Sequence, residues 1–198
     1  MVYNYTTLTY QLSTAVFQIV PGETYKLEVT APNGKKVSGT TSVPLQLPQI
    51  GSFEFEVNQR NDLNNFPYQE YVYKMSLIDP TPAFNYYQVM YYGLLNGFSG
   101  FQTQEFKDDD ALNNGQLYIE SSYEDYGTFD GSGQIQSDSL RYIVINATEE
   151  YYRFHRTLFS QDPGNPFSEP VIVFSNIENG LGVFAGYRMV KGQVELSQ

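Results

Sequence analysis

The sequence predicts a mainly β protein built from antiparallel sheets, with a single substantial helix. Short runs of alternating apolar and polar residues recur along the chain, and turn residues such as Asn-Gly and Pro separate them. One segment instead places its apolar residues at helical spacing. Hydrophobic residues make up 41% of the chain, including 18 tyrosines and 14 phenylalanines, so the chain has enough apolar surface to bury a core.

The first strands are expected between residues 25 and 57. Residues 25–29 alternate cleanly, and Asn33-Gly34 can adopt the positive φ angles of a tight hairpin that returns the chain into residues 36–41. Residues 53–57 form the next strand, with one apolar side. The polar stretch 58–65 is predicted to be a linker or long loop, and we place a boundary between two units near it.

The second unit carries most of the predicted strands. They are expected at residues 71–77, 86–92, 116–120, 139–145, 171–174 and 182–190. Residues 86–92 are expected to pair back on residues 71–77 as a hairpin. Residues 93–115 are rich in loop-forming residues and are predicted to be largely loop.

The one predicted helix covers residues 148–160. One helical stripe contains its apolar residues, which are Tyr151, Phe154, Leu158 and Phe159. Thr148 is suited to the N-cap, and the two glutamates after it suit the positive end of the helix dipole. The prolines and glycine of residues 162–166 end the helix.

Composition and charge exclude several classes of function. The net charge is -11, which disfavours binding to nucleic acid because that affinity comes mainly from Lys and Arg. The chain has no cysteine and one histidine, His155, so thiolate chemistry, most zinc sites and a Ser-His-Asp triad are hard to build. The first residues show no signal peptide, and no run approaches the length of a membrane span. We therefore expect no catalytic residues, no cofactor and no enzyme activity.

Acidic residues are the main candidates for other chemistry. Asp108, Asp109 and Asp110 offer the oxygen ligands that calcium prefers, although a solvated acidic loop is the simpler interpretation. A carboxylate pair for glycoside hydrolysis could come from residues near the third strand of the second unit. Those residues are Glu120, Glu124, Asp125 and Asp130. His155 is interpreted as a partly buried histidine of the helix.

Tyrosines are concentrated in the middle of the chain. Neighbouring residues of a strand face opposite sides, so about half of these rings should build the core. The outward half is amphipathic surface of the kind found at interfaces and carbohydrate platforms. The candidate ligand-binding residues are Tyr87, Tyr92, Tyr123 and Tyr126.

Two C-terminal segments resemble a known family. Residues 164–170 read Gly-Asn-Pro-Phe-Ser-Glu-Pro, and residues 175–187 read Ser-Asn-Ile-Glu-Asn-Gly-Leu-Gly-Val-Phe-Ala-Gly-Tyr. Together they resemble the C-terminal signature of a Bacteroidota lipoprotein family, domain of unknown function 4249. Residues 21–38 and 109–115 resemble two further segments of that family. The motif residues are Asn165, Pro166, Phe167, Glu169, Pro170, Ser175, Asn176, Asn179, Gly180, Gly182, Phe184, Gly186 and Tyr187.

We interpret this motif as structural, because its glycines suit positive φ angles or close backbone approach. A rim that contacts a ligand is the alternative. We expect Phe184 and Tyr187 to face opposite sides of a strand.

The resemblance implies a fold, a location and a role. Residues 1–57 would form a partial β-sandwich, immunoglobulin-like or transthyretin-like, because family members carry further strands before this point. We expect residues 66–198 to form a barrel-like or sandwich domain with the helix, because the strands meander and the helix comes late in the chain. The protein would be held at the outer membrane or cell surface by a lipid anchor that this chain does not contain.

The implied role is that of an accessory protein beside a TonB-dependent nutrient transporter, with that transporter or other envelope proteins as partners. The alternative is a stand-alone module that binds a glycan or peptide through exposed tyrosines.

Overall fold

The structure is a computed structural model that describes residues 1–79, 83–95, 98–125, 139–160 and 172–195. Its strands are β1 (Val2–Asn4), β2 (Thr9–Gln11), β3 (Thr24–Thr30), β4 (Lys36–Ser42), β5 (Gln49–Asn61), β6 (Pro67–Ile78), β7 (Tyr86–Leu95), β8 (Phe98–Asp108), β9 (Gln116–Asp125), β10 (Ser139–Ala147) and β11 (Tyr187–Glu195). The helix α1 (Glu149–Phe159) lies between β10 and β11. All pairings between these strands are antiparallel, and they form the sheets β1-β2, β3-β4, β5-β6-β9 and β11-β10-β7-β8.

The three-stranded and four-stranded sheets pack face to face around one core. Alternate residues of β6, β7, β9 and β10 point into it, as the two-residue period of a strand requires. The rings of Tyr73 and Tyr91 stack across the two sheets with centroids 4.9 Å apart. The core residues are Tyr71, Tyr73, Met75, Leu77, Tyr87, Val89, Tyr91, Leu117, Ile119, Leu140 and Val144.

Helix α1 covers the other face of the four-stranded sheet. Tyr152 is the helix residue buried deepest, and its ring lies 5.1 Å from that of Tyr86 in β7. The Tyr152 hydroxyl donates a hydrogen bond to Asp108 Oδ2 at 2.9 Å. Both faces of this sheet are therefore covered along β7. None of the helical segments in the described ranges has the length and apolar character of a transmembrane helix.

The hairpin of β3 and β4 is held by residues 175–186. Ser38 in β4 exchanges two backbone hydrogen bonds with Glu178. The Asn176 side chain donates to the carbonyls of Thr40 and Phe184, and its Oδ1 accepts from the Phe184 backbone N–H at 2.9 Å. This C-terminal segment therefore connects the hairpin to the strand β11 that follows it.

The predicted fold class is confirmed as mainly β with antiparallel sheets and one helix. The hairpin across Asn33-Gly34 is also confirmed, with Gly34 at a φ of 81°. The arrangement agrees with the sandwich form of the prediction. It does not agree with a closed barrel, because all four sheets formed by the described residues are open.

Several local predictions are wrong. The stretch 58–65 is not a linker, because β5 continues to Asn61 and a tight turn leads into β6. There the Asp62 carboxylate accepts hydrogen bonds from the N–H groups of Asn64 and Phe66, so the polar residues belong to a hairpin. The predicted unit boundary falls within this hairpin.

The predicted pairing of residues 86–92 with 71–77 is also wrong. β7 pairs with β8 and β10, whereas β6 lies in the opposite sheet. Much of the predicted loop 93–115 is the edge strand β8. Polar residues on an edge strand discourage pairing with other chains. Such residues are also typical of loops, so the sequence of β8 reads as a loop.

The closing strands differ from their predicted positions. Residues 172–174 are not in a strand, and β11 begins at Tyr187, after the glycine-containing residues 182–186. Phe184 therefore lies outside any strand and does not share one with Tyr187. The Phe184 backbone is held by the Asn176 side chain, which takes the place of a strand partner.

Candidate functional site

A pocket of about 370 Å³ lies where α1 begins. Three segments form it: the loop between β4 and β5, the residues just before β7, and the junction of β10 with α1. Its lining residues are Ser42, Pro44, Leu45, Gln46, Ala83, Phe84, Asn85, Tyr86, Asn146, Ala147, Thr148, Glu149 and Glu150.

The pocket wall contains a fixed pair of amide side chains. Asn146 is 1% exposed. Its Nδ2 donates to the Gln46 carbonyl at 3.3 Å and to Asn85 Oδ1 at 3.1 Å. Because both neighbours are acceptors, they also fix which end of the Asn146 amide is nitrogen. Its Oδ1 has no hydrogen-bond donor among the described residues.

The rim of the pocket is acidic and aromatic. Glu149 and Glu150 stand in the first turn of α1. Phe84 is 52% exposed, and its ring lies 5.1 Å from that of Tyr86. Carboxylates accept hydrogen bonds, and an exposed ring offers an apolar face. The pocket is therefore suited to a ligand rich in hydrogen-bond donors, such as a hydroxyl-rich sugar or a basic peptide.

Two carboxylates lie beside Asn85. The Asn85 backbone N–H donates to Asp109 Oδ2 at 2.8 Å, and its side-chain Nδ2 donates to Asp79 Oδ1 at 2.8 Å. Burial raises the pKa of Asp109, and the nearby Asp79 carboxylate raises it further. The Tyr87 hydroxyl also reaches Asp79 Oδ1, at 3.4 Å, and burial raises the pKa of Tyr87.

Two of the four tyrosines of the predicted platform, Tyr87 and Tyr92, have described side chains. Tyr87 is 1% exposed and belongs to the core, so it does not present its ring to a ligand. Tyr92 is half-buried, and its hydroxyl contacts Met90 Sδ at 3.4 Å. Tyr123 lies in β9 without a described side chain, and Tyr126 lies outside the described residues.

The three candidate metal ligands point to different places. Asp108 accepts from Tyr152, Asp109 accepts from Asn85, and Asp110 is exposed. Across the described ranges, no group of three or more His, Cys, Asp or Glu side chains is arranged to hold a metal ion. Asp108 and Asp110 are therefore not partners of Asp109 in one site.

The remaining acidic candidates are described only in part, and the histidine lies on the helix α1. Glu120 and Glu124 are exposed on β9, the Asp125 side chain is not described, and Asp130 lies outside the described residues. His155 packs among the rings of Phe106, Tyr151, Phe154 and Phe159. Burial lowers its pKa, which favours the neutral form.

The described part of the C-terminal motif makes structural contacts. A Cβ added to Gly186 would lie 2.1 Å from the Ser42 carbonyl oxygen, and one added to Gly180 would lie 3.0 Å from the Val37 side chain. Asn179 and Gly182 have φ angles of 60° and 125°. These contacts favour the structural interpretation. Asn165, Pro166, Phe167, Glu169 and Pro170 lie outside the described residues.

The polar residues at the pocket wall are not among the residues predicted from the sequence. Asp79, Asn85 and Asn146 each stand at or beside the end of an apolar strand. A polar residue that continues a strongly apolar run is a candidate for burial, and buried polar groups need partners. That signal was available for Asn146, which follows the predicted strand 139–145.

Comparisons with known proteins give one match. A family model described as a domain of unknown function, DUF4249, matches residues 2–193. The comparisons with curated proteins and with solved structures returned no match.

Proposed function

This chain belongs to the DUF4249 family, and from that premise we propose that it is a non-enzymatic accessory protein of the Bacteroidota cell envelope. In this proposal it acts at the outer membrane beside a TonB-dependent nutrient transporter, anchored there as a lipoprotein. The family resemblance supports the location, and an exposed apolar surface supports the need for a protein partner.

That surface is the observation that carries the proposal. In residues 1–20, the side chains of Tyr5, Leu8, Tyr10, Val16 and Ile19 are 83%, 73%, 72%, 78% and 58% exposed. Strands β1 and β2 of this segment pair only with each other among the described strands. Soluble proteins seldom expose so many large apolar side chains close together unless another surface covers them.

Copurification tests this proposal. The tagged protein, produced with its natural membrane anchor in a Bacteroidota host, should retain an outer-membrane transporter after purification. The combined change Leu8→Ser and Val16→Ser should reduce the recovered transporter at least about tenfold, because it removes apolar contact area.

Leu63→Ser is the matched control, since Leu63 is fully exposed in the turn between β5 and β6. Equal recovery with the control and the double variant would contradict the proposed surface. Recovery of no transporter with the unaltered protein would contradict the proposed partner.

A binding module is the second candidate, and the pocket at the start of α1 favours it. Its acceptor-rich rim and the half-exposed ring of Phe84 suit a carbohydrate or a basic peptide. Under this alternative, the contact residues are Phe84, Glu149 and Glu150 in place of the buried Tyr87.

Calorimetric titration with oligosaccharides and with lysine-containing peptides tests the alternative. Phe84→Ala should weaken binding about tenfold, which corresponds to about 1.4 kcal/mol. Phe66→Ala is a close control, because Phe66 is also 52% exposed and does not line the pocket. A similar loss in both variants, or no heat of binding from either ligand class, would contradict it.

A further inference from the structure

Asp79, which is buried, and Asp109, which is half-buried, form an acidic pair with no positive partner among the described residues. Asp79 is 9% exposed. The charged groups that act on Asp109 are both carboxylates, those of Asp79 and Asp108. Two carboxylates held close together in a poorly solvated place repel each other, and the arrangement needs a compensating proton or cation.

Asn85 holds both carboxylates in fixed positions. Its backbone N–H and its side-chain Nδ2 each donate at 2.8 Å, one to Asp109 Oδ2 and the other to Asp79 Oδ1. Each carboxylate therefore has one oxygen engaged. The second oxygens, Asp79 Oδ2 and Asp109 Oδ1, are buried and accept no hydrogen bond within the described part of the chain.

Asn146 adds an independent observation. Its Nδ2 donates to Asn85 Oδ1 at 3.1 Å, so it belongs to the same network. Its own Oδ1 is buried without a donor in the described ranges, in a side chain that is only 1% exposed. A buried acceptor without a donor destabilises the folded state. Three such oxygens in one network point to an electropositive ligand.

We propose that Asp79, Asp109 and Asn146 bind a calcium ion, with Asn85 as the residue that positions the two carboxylates. The donors are all oxygen, in the carboxylate and amide mixture that Ca²⁺ prefers, and none is a histidine or cysteine that would favour zinc. Ca²⁺ accepts irregular sets of six to eight oxygens, whereas Mg²⁺ demands near-ideal octahedral geometry and retains waters. Calcium–oxygen distances of about 2.3–2.6 Å are also shorter than a hydrogen bond to water.

Terbium luminescence tests the site directly. Tb³⁺ substitutes for Ca²⁺ and emits when a nearby tyrosine is excited, and the Tyr87 hydroxyl lies 3.4 Å from Asp79 Oδ1. The intact protein should show emission at least about tenfold above that of free Tb³⁺. Calcium should displace it, and Asp79→Asn should abolish it. Emission that calcium does not displace, or that survives Asp79→Asn, would overturn the proposal.

Thermal unfolding gives a second readout that does not depend on tyrosine. Calcium at about one hundred times its dissociation constant should raise Tm by about 5–10 °C, and a chelator should reverse the shift. Asp79→Asn and Asp109→Asn should lose the shift even if they are themselves more stable without calcium. Asp110→Asn should keep it, because Asp110 is exposed.

A shared proton is the competing explanation for the acidic pair. Its signature is a Tm that rises as the pH falls through the raised pKa of Asp109 and does not respond to calcium at neutral pH. Equilibrium dialysis of the unaltered protein with calcium distinguishes the two outcomes. Binding of one ion per chain supports the proposal, and no binding overturns it.

Discussion

At the residue scale, replacing a glycine by alanine should have different effects at Gly186 and at Gly192. A Cβ at Gly186 would lie 2.1 Å from the backbone carbonyl oxygen of Ser42. A Cβ at Gly192 would also meet atoms at 2.1 Å, but these belong to the outer end of the Tyr142 ring. A side-chain end can rotate away, whereas a backbone carbonyl moves only with its strand.

We predict that Gly186→Ala destabilises the protein by about 1–3 kcal/mol, because the C-terminal segment must separate from β4. Gly192→Ala should cost less, since Tyr142 can shift. Urea unfolding of both variants measures the difference. Equal costs would show that the contact at Ser42 is not rigid.

A second prediction at this scale concerns His155. Burial lowers its pKa below the ordinary value of 6.5, so the folded state prefers the neutral ring. The stabilisation is fully present above pH 6.5 and is lost as the pH falls through the lowered pKa. Unfolding free energies measured from about pH 7 to about pH 5 should fall less steeply in His155→Phe than in the unaltered protein. Parallel curves would contradict this.

Adjacent tyrosines show what a sequence can predict about a side chain. Strand alternation correctly predicts that Tyr86 and Tyr87 face opposite sides. It does not predict that both sides are covered, one by the opposite sheet and the other by α1. Tyr87 is therefore core, although it was assigned to a binding surface. The pocket residues Asn85 and Asn146 come together only through the pairing of β7 with β10, which local patterns do not determine.

At the scale of the element, α1 is fixed by one hydroxyl as well as by ring packing. The Tyr152 hydroxyl donates to Asp108 Oδ2 and accepts from Arg156 at 3.1 Å. This side chain is 6% exposed. The hydroxyl therefore joins the helix to the end of β8 in a poorly solvated place, where a hydrogen bond to a carboxylate is worth more than it is at the surface.

Tyr152→Phe should accordingly lower the free energy of unfolding by about 1–3 kcal/mol, because Asp108 loses a buried donor. Tyr118→Phe is the control. Its hydroxyl also donates within the chain, to Gln116, but the side chain is 61% exposed and water can replace the bond. Chemical denaturation of both variants provides the measurement, and comparable losses would contradict the proposed role of burial.

The elements also differ in how well their sequences predict them. The sequence predicts helix α1 nearly to its ends, because the helix is amphipathic and is followed in the sequence by two prolines and a glycine. Thr148 occupies the N-cap as expected, but its side chain makes no capping hydrogen bond. Strand β8 was missed because, as an edge strand beside solvent and a helix, it lacks a regular apolar face. Local pattern is informative only where one side of an element is consistently buried.

At the scale of the whole molecule, two sheets are joined by a layer of aromatic rings. Tyr91 is fully buried. The centroid of its ring lies 4.9 Å from that of Tyr73 and 6.3 Å from that of Phe53, both in the opposite sheet. These contacts connect β7 to β6 and β5, so one ring contributes to both halves of the sandwich.

Tyr91→Ala should cost about 3–5 kcal/mol, the range for truncating a large buried aromatic residue. Tyr118→Ala should cost well under 1 kcal/mol, because most of that ring is already in water. Equilibrium denaturation of the two variants checks this. A small loss at Tyr91 would mean that the sheets are not held by this layer.

The Ser38 hydroxyl donates a hydrogen bond to the carboxylate of Glu178, which lies 140 residues later in the sequence. A polypeptide leaves the ribosome or a translocation channel with its N-terminus first, so the hairpin of β3 and β4 emerges long before the segment that fastens it. Contacts this distant in sequence slow folding, because a large loop must close before they form. Assembly should therefore finish late, and the early hairpin should depend on chaperones until the last strand arrives.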